Sequence, residues 1–264
     1  MTFLVPGLLA IVMYAFATRL LAGRDAERPR GRAWLGPAIA ATVLHATVHA
    51  VAWRTLGGPD LHFFAALSLV GLGMATLTTG LGPTQRVEAL GIIVFPLAAA
   101  MLALYATLGG ARASTGMDWR MTLHALLALL AYATLAVAAL LALMLWFQER
   151  ALRRRHLGGA LRLLPPLTQT ETLLFRSLGV GFSLLTLTLL SGVLFVEDLF
   201  AQDLGHKTVL SILSWIVLAV LLFGRWRWGW RGPRAVKLTL VAMALLLLAF
   251  FGSKFVYELV LHRA

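Results

Sequence analysis

The residues of this sequence best suited to chemistry are its seven histidines. His45 and His49 lie four residues apart, and Trp53 follows four further on. At helical spacing the three share one face, with His45 about 12 Å and His49 about 6 Å along the axis from Trp53. His62, His124 and His206 each stand where a long apolar run begins, while His262 lies in the C-terminal tail and His156 in a basic stretch. A neutral imidazole nitrogen donates to a late transition metal, and one or two of them across an apolar slot hold a haem. Two histidines four apart on one helix cannot easily take opposite faces of one macrocycle. The favoured haem pairing therefore joins one of them to His124 or His206. Together, His45 and His49 suit zinc or copper, with Asp60, His62 or Asp203 as a third ligand. The competing reading is a pair of neutral histidines bonded to neighbouring helices.

Other chemistry is sparse. The chain has no cysteine, which excludes disulfides, thiolate metal sites and covalent attachment of haem to this chain. Neither a GKS/T loop nor an HExxH helix occurs, and Ser-His-Asp roles cannot be assigned by spacing. Gly71-Leu72-Gly73 falls within an apolar run and reads as close helix packing, not as a phosphate loop. Asp203, one turn before His206, could orient that imidazole as a supporting carboxylate. No self-contained catalytic constellation emerges.

The elements that must position these residues are hydrophobic. Of 264 residues, 60% are apolar and 13% charged, with a mean hydropathy of +0.85. Both figures exclude disorder and argue against an ordinary soluble domain. Eight apolar runs are long enough to cross a bilayer, at about 2–21, 33–53, 63–81, 89–108, 121–147, 172–196, 208–224 and 238–257. The expected fold is therefore all-α, a polytopic bundle of about eight transmembrane helices forming one membrane domain over 1–264.

Charge orients the bundle. The net charge is +12. Alternate loops and their flanks carry 17 cations and 5 carboxylates, and the other loops carry six of each. By the positive-inside rule the rich side is cytoplasmic, so both termini face outward. The first run has arginines after it and not before it, which reads as an uncleaved span. Arg225-Trp226-Arg227-Trp228-Gly229-Trp230-Arg231 then reads as an interfacial belt on the lipid bilayer, with no nucleic-acid role. Six of the seven histidines fall at or near the outer face.

Span five reads His124-Ala-Leu-Leu-Ala-Leu-Leu-Ala-Tyr132-Ala133, an outer-face His with Tyr-Ala eight residues on. This resembles the cytochrome c assembly family of CcsA/CcmC-type haem handlers, in which such a histidine ligates haem. The resemblance continues through Ser191-Gly192, Lys207-Thr208 to Trp215, and Gly229-Trp230-Arg231-Gly232. Eight spans and small size look most like its YpjD/HemX-type branch. The family's tryptophan-rich tract ending in Trp-Asp-Pro-Lys-Glu is replaced here by Val196 to Lys207. Its second outer histidine would fall near Ser253-Lys254, so His206 is the candidate replacement and His262 a lesser one. The resemblance implies an inner-membrane protein binding haem non-covalently during cytochrome c biogenesis. His124 and His206 would be the axial ligands, and His45 and His49 a second, intramembrane site. Partners would be other maturation or membrane-complex subunits, which must supply any thiol chemistry. The alternative is a non-catalytic accessory subunit of another complex, such as a transporter.

Overall fold

A computed structural model describes residues 4–23, 31–85, 88–109, 118–154, 164–195 and 205–260. Among them every regular element is helical: α1 (Leu4–Ala22), α2 (Leu35–Leu56, entered by a 3-10 turn at Arg32–Trp34), α3 (Phe63–Gln85), α4 (Glu88–Leu108), α5 (Trp119–Arg153), α6 (Leu167–Phe195), α7 (Gly205–Trp228) and α8 (Pro233–Leu247). The last continues through π-helical turns at Leu248–Gly252 and Phe255–Val260. All eight are long and apolar enough to cross a membrane, and the chain is a multi-span membrane protein.

The helices form two compact units, residues 1–117 with 158–165 and residues 118–157 with 166–264. In the first, α1 packs between α2 and α4, and α3 closes against α4 and α2. The buried stripe of α1 is Gly7, Ala10, Tyr14, Ala17 and Leu21, and that of α2 is Ala38, Ala41, His45, Val48 and Ala52. These positions repeat every three or four residues, and they are mostly small. In a bilayer, where lipid is as apolar as leucine, small residues associate helices by letting backbones approach. Gly71 does so between α3 and α4, since a Cβ there would sit 3.3 Å from the Ala98 Cα. Its reading as a packing glycine holds.

In the second unit α5 packs on α6, α6 on α7, α7 on α8 and α8 back on α5. Side chains from one helix reach carbonyls or hydroxyls on the next. Tyr132 Oη donates to the Leu246 carbonyl at 2.6 Å, Ser214 Oγ to the Ala242 carbonyl at 2.8 Å, and Trp215 Nε1 to Thr186 Oγ1 at 2.9 Å. Leu246 lies two residues before the π-helical turn at Leu248–Gly252, where the regular i→i−4 ladder is reset. The Tyr132 hydroxyl satisfies a carbonyl just before that break.

Several helices outrun the apolar stretches that announce them. α5 continues through Gln148 to Arg153, and α6 begins at Leu167, so both ends of the stretch between the expected spans 121–147 and 172–196 are helical. Hydropathy ends where polar residues begin, but these turns are held by specific partners. Glu171, largely buried, accepts from Arg225 Nη1 at 2.9 Å and lies 3.4 Å from Arg231 Nε. The Arg225 guanidinium also bonds the Trp230 carbonyl at 3.3 Å and covers the Phe175 ring at 4.4 Å. Gly229 and Gly232, at φ 65° and 54°, turn the backbone so that Trp230 folds onto Gly224. Glu171→Gln removes the charge from this clamp, and the partly buried Arg225 loses its charged partner, while Arg231 is largely exposed. The expected cost is about 1–2 kcal/mol, read as a lowered thermal midpoint in mild detergent.

Candidate functional site

In the second unit a cavity of about 320 Å³ opens between α5, α6, α7 and the end of α8. His124, Ala128, Ala131 and Tyr132 line it from α5, the i, i+4, i+7, i+8 pattern of one helical face. Leu185, Thr188, Leu189, Gly192 and Val193 line it from α6 in the same pattern. The π-helical turn contributes Ala249 and Phe250, and α7 contributes Lys207, Thr208, Ser211 and Ile212.

The protonation of His124 follows from hydrogen-bond bookkeeping. Ser191 Oγ donates to the Thr188 carbonyl at 2.9 Å, which uses its one proton. His124 Nδ1 lies 2.9 Å from the same oxygen and must therefore be the donor. In the neutral ring Nε2 then carries the lone pair, the form a metal ligand requires. Gly192 lets the ring sit close to α6, since a Cβ there would lie 3.3 Å from His124 Cε1.

His206 is exposed on the first turn of α7 and is not among the lining residues, although Lys207 beside it is. One residue turns a helical side chain through about 100°. Asp203, its expected orienting carboxylate, lies outside the described residues, as do His156 and His262.

His45 and His49 are brought together in the first unit, in a different chemical state. His45 is fully buried. Its Nδ1 lies 3.2 Å from Tyr14 Oη, and its Nε2 2.9 Å from Ser68 Oγ. His49 Nε2 meets the same Ser68 oxygen at 2.9 Å, and its ring stacks on Tyr105 with centroids 4.9 Å apart. Tyr105 Oη donates to Asp60 Oδ2 at 3.3 Å, and Asp60 Oδ1 lies 2.5 Å from His62 Nδ1. Tyr14, Ser68 and Tyr105 carry no motif in the sequence; their signal is a polar group within an apolar span. Among the described residues no three His, Asp or Glu side chains are grouped to hold a metal ion. Where a third ligand was expected beside His45 and His49, the structure places the Ser68 hydroxyl, which bonds both.

Asp60 lies between α2 and α3. Burial alone would raise its carboxyl, but the hydrogen bonds and charge of His62, with the Tyr105 hydroxyl, hold it below the ordinary carboxylate value. A carboxyl depressed on folding stabilises above its unfolded pKa, and that stability is lost as pH falls through the lower folded value. Asp60→Asn is expected to flatten the acid limb of the stability–pH profile while leaving its neutral-to-basic side unchanged in slope. Thermal melts in detergent across pH 3–8 would check this, and an unaltered acid limb would refute it.

The family model described as cytochrome C assembly protein matches residues 35–261. The inner membrane protein YpjD of Escherichia coli K12 is 34% identical over 261 residues, covering 96% of this chain and 98% of its own length. The cytochrome c biogenesis protein CcsA of Chlamydomonas reinhardtii is 24% identical over 143 residues, 53% of this chain and 39% of that protein. CcsA of Prochlorococcus marinus (strain MIT 9215) is 30% identical over 89 residues, 33% of this chain and 29% of that protein. With most of its length matched, this multi-span membrane chain belongs to the cytochrome c assembly protein family.

Proposed function

We propose that this is an inner-membrane protein that binds or handles haem non-covalently at its outer face during cytochrome c biogenesis, with His124 as an axial ligand. The observation that carries the reading is the His124 imidazole, locked by Ser191 with its Nε2 lone pair available, in a largely apolar cavity. The donor set fits the group: an imidazole nitrogen and apolar walls suit one axial position and one macrocycle face. Haem when bound would supply an iron centre and a flat apolar surface. The chain's residues ligate it, orient it and keep water from one side. His206, exposed on the first turn of α7 next to the lining residue Lys207, is the candidate second ligand. The positive-inside distribution supports the outer placement, and the relative named inner membrane protein YpjD supports the location. His45 and His49 in this reading support the fold, since Ser68 engages both Nε2 atoms.

The test is the visible spectrum of protein purified in mild detergent after expression with ample haem. A Soret band is expected, reduced at least about tenfold in occupancy by His124→Ala and weakened by His206→Ala. Haem-free wild-type protein would sink the reading. It would favour an accessory subunit of another membrane complex, to which the missing tryptophan tract before α7 already points. A band indifferent to His206→Ala would remove that residue from the ligand set.

A further inference from the structure

The hairpin of α7 and α8 carries more positive charge than its own packing uses. From Arg225 to Lys237 the chain has five cations and no carboxylate. Glu171 takes Arg225 and lies beside Arg231. Arg227, Arg234 and Lys237 are exposed, and none of them pairs with a carboxylate among the described residues. Three like charges on one short hairpin repel each other, and an anion from outside would relieve them.

The surface leading away from these cations is apolar. On α7 the exposed Ile216, Val220 and Phe223 recur at helical spacing, and the same stripe ends on Arg227. On α8 the exposed stripe starts at Arg234 and Lys237 and continues through Val241 and Leu248. The two helices pack on each other and are joined by residues 229–232, so both stripes reach their cations at one membrane end. Aromatic rings link those ends. Trp228 stacks on Trp230 with centroids 5.7 Å apart, and the Arg234 guanidinium lies 6.0 Å over the Trp230 ring. Trp226 and Trp228, 80% and 61% exposed, flank Arg227 as headgroup-level tryptophans do.

We propose that this corner is a docking site for an anionic phospholipid. Arg227, Arg234 and Lys237 hold its phosphate, and its acyl chains lie along the apolar stripes of α7 and α8. The guanidinium groups donate charge-assisted hydrogen bonds to the phosphate oxygens, and the ammonium adds a point charge. Free phosphate would use the cations and leave the stripes bare, whereas a phospholipid matches both. The positive-inside distribution makes it a lipid of the inner leaflet. A basic loop is drawn to any charged surface, but here the cations stand on helices held by the ring stack and by the Glu171 clamp.

Native mass spectrometry of the full chain, released from mixed micelles, would count retained phosphatidylglycerol against phosphatidylcholine of identical acyl chains. The wild type is expected to favour phosphatidylglycerol about tenfold. Arg227→Gln, Arg234→Gln and Lys237→Gln combined are expected to abolish that preference by weakening phosphatidylglycerol alone. Arg227→Lys with Arg234→Lys should keep most of it. Arg150→Gln, Arg153→Gln and Arg154→Gln combined remove equal charge from the end of α5 and should leave the preference intact. Trp226→Ala should weaken both lipids and keep their ratio. Should the triple variant at the hairpin fail to fold, the single replacements carry the test, each with a loss of about threefold. Equal retention of the two lipids by the wild type would overturn the site. So would an equal loss in the α5 variant, which would make the preference one of net charge. Inorganic phosphate displacing phosphatidylglycerol at matching concentration would overturn the lipid assignment.

Discussion

Replacing His45 with alanine is expected to cost about 3 kcal/mol of stability, the largest effect of any single histidine change in the first unit. The side chain bridges three helices. Tyr14 of α1 bonds its Nδ1 and Ser68 of α3 bonds its Nε2. Interhelical hydrogen bonds inside membranes contribute about 0.6 kcal/mol on average and at most about 1.7, because the unfolded chain in lipid also finds partners. Two of them supply one to two kcal/mol, roughly, by that measure. The rest is packing. His45 is fully buried, with its ring edge-on to Tyr14 at 5.9 Å and stacked on His49 at 5.5 Å, so truncation leaves a void. Denaturant-driven unfolding in mixed micelles measures the loss. Tyr14→Phe is expected to cost under about 1 kcal/mol alone and close to nothing in the His45→Ala background, since its partner is already gone. Additive effects of the two substitutions would show that the hydroxyl–imidazole contact carries no stability.

The second large effect concerns Ser191. Its replacement by alanine is expected to weaken haem affinity about 10- to 100-fold, the range typical of losing a group that orients a metal-bound histidine. The loss would come without comparable unfolding. Ser191 is not among the residues that line the cavity. It acts by accepting a hydrogen bond from His124 Nδ1–H while its own hydroxyl donates to the Thr188 carbonyl. Without it the imidazole can flip or change tautomer, which withdraws the Nε2 lone pair from the cavity. Ser191→Thr retains the hydroxyl and is expected to stay within about threefold of the wild type, far short of that loss. The measurement is a Soret titration beside a thermal melt. An alanine variant that binds as the wild type does would dissociate Ser191 from the site, and one that simply melts would mark it as structural. The Thr188 carbonyl cannot be mutated, so the serine is the one adjustable member of this relay.

How far the sequence foretold these features depends on the range of the interaction. Eight apolar runs became eight helices, because a bilayer-length stretch of apolar residues has one way to satisfy its backbone. Their ends were less legible. Gln148 to Arg153 and Leu167 to Thr170 look like loop by hydropathy yet continue α5 and α6. What holds that end of the unit is Glu171 meeting Arg225, a partner 54 residues away. The Tyr132-Ala133 and Ser191-Gly192 pairs were legible as a resemblance, and their physical roles were not. The tyrosine caps a carbonyl just before a π-helical break, the serine sets a tautomer, and the glycine admits a ring.

The four histidines singled out by the sequence show most plainly where its authority stops. Composition and spacing determined that this is a helical membrane protein, which loops carry its +12 charge, and that His45 and His49 share a helical face. The tertiary structure decided which imidazole remains available for chemistry. His45 has both nitrogens engaged, by groups 31 and 23 residues away. His124 has one nitrogen fixed by a serine 67 residues away and the ring lining a cavity. His206, equally promising in one dimension, is turned to the exposed side of its helix. A side chain's type is local. Whether its lone pair is spent or presented depends on donors and acceptors that only the packing of distant helices brings within 3 Å or so.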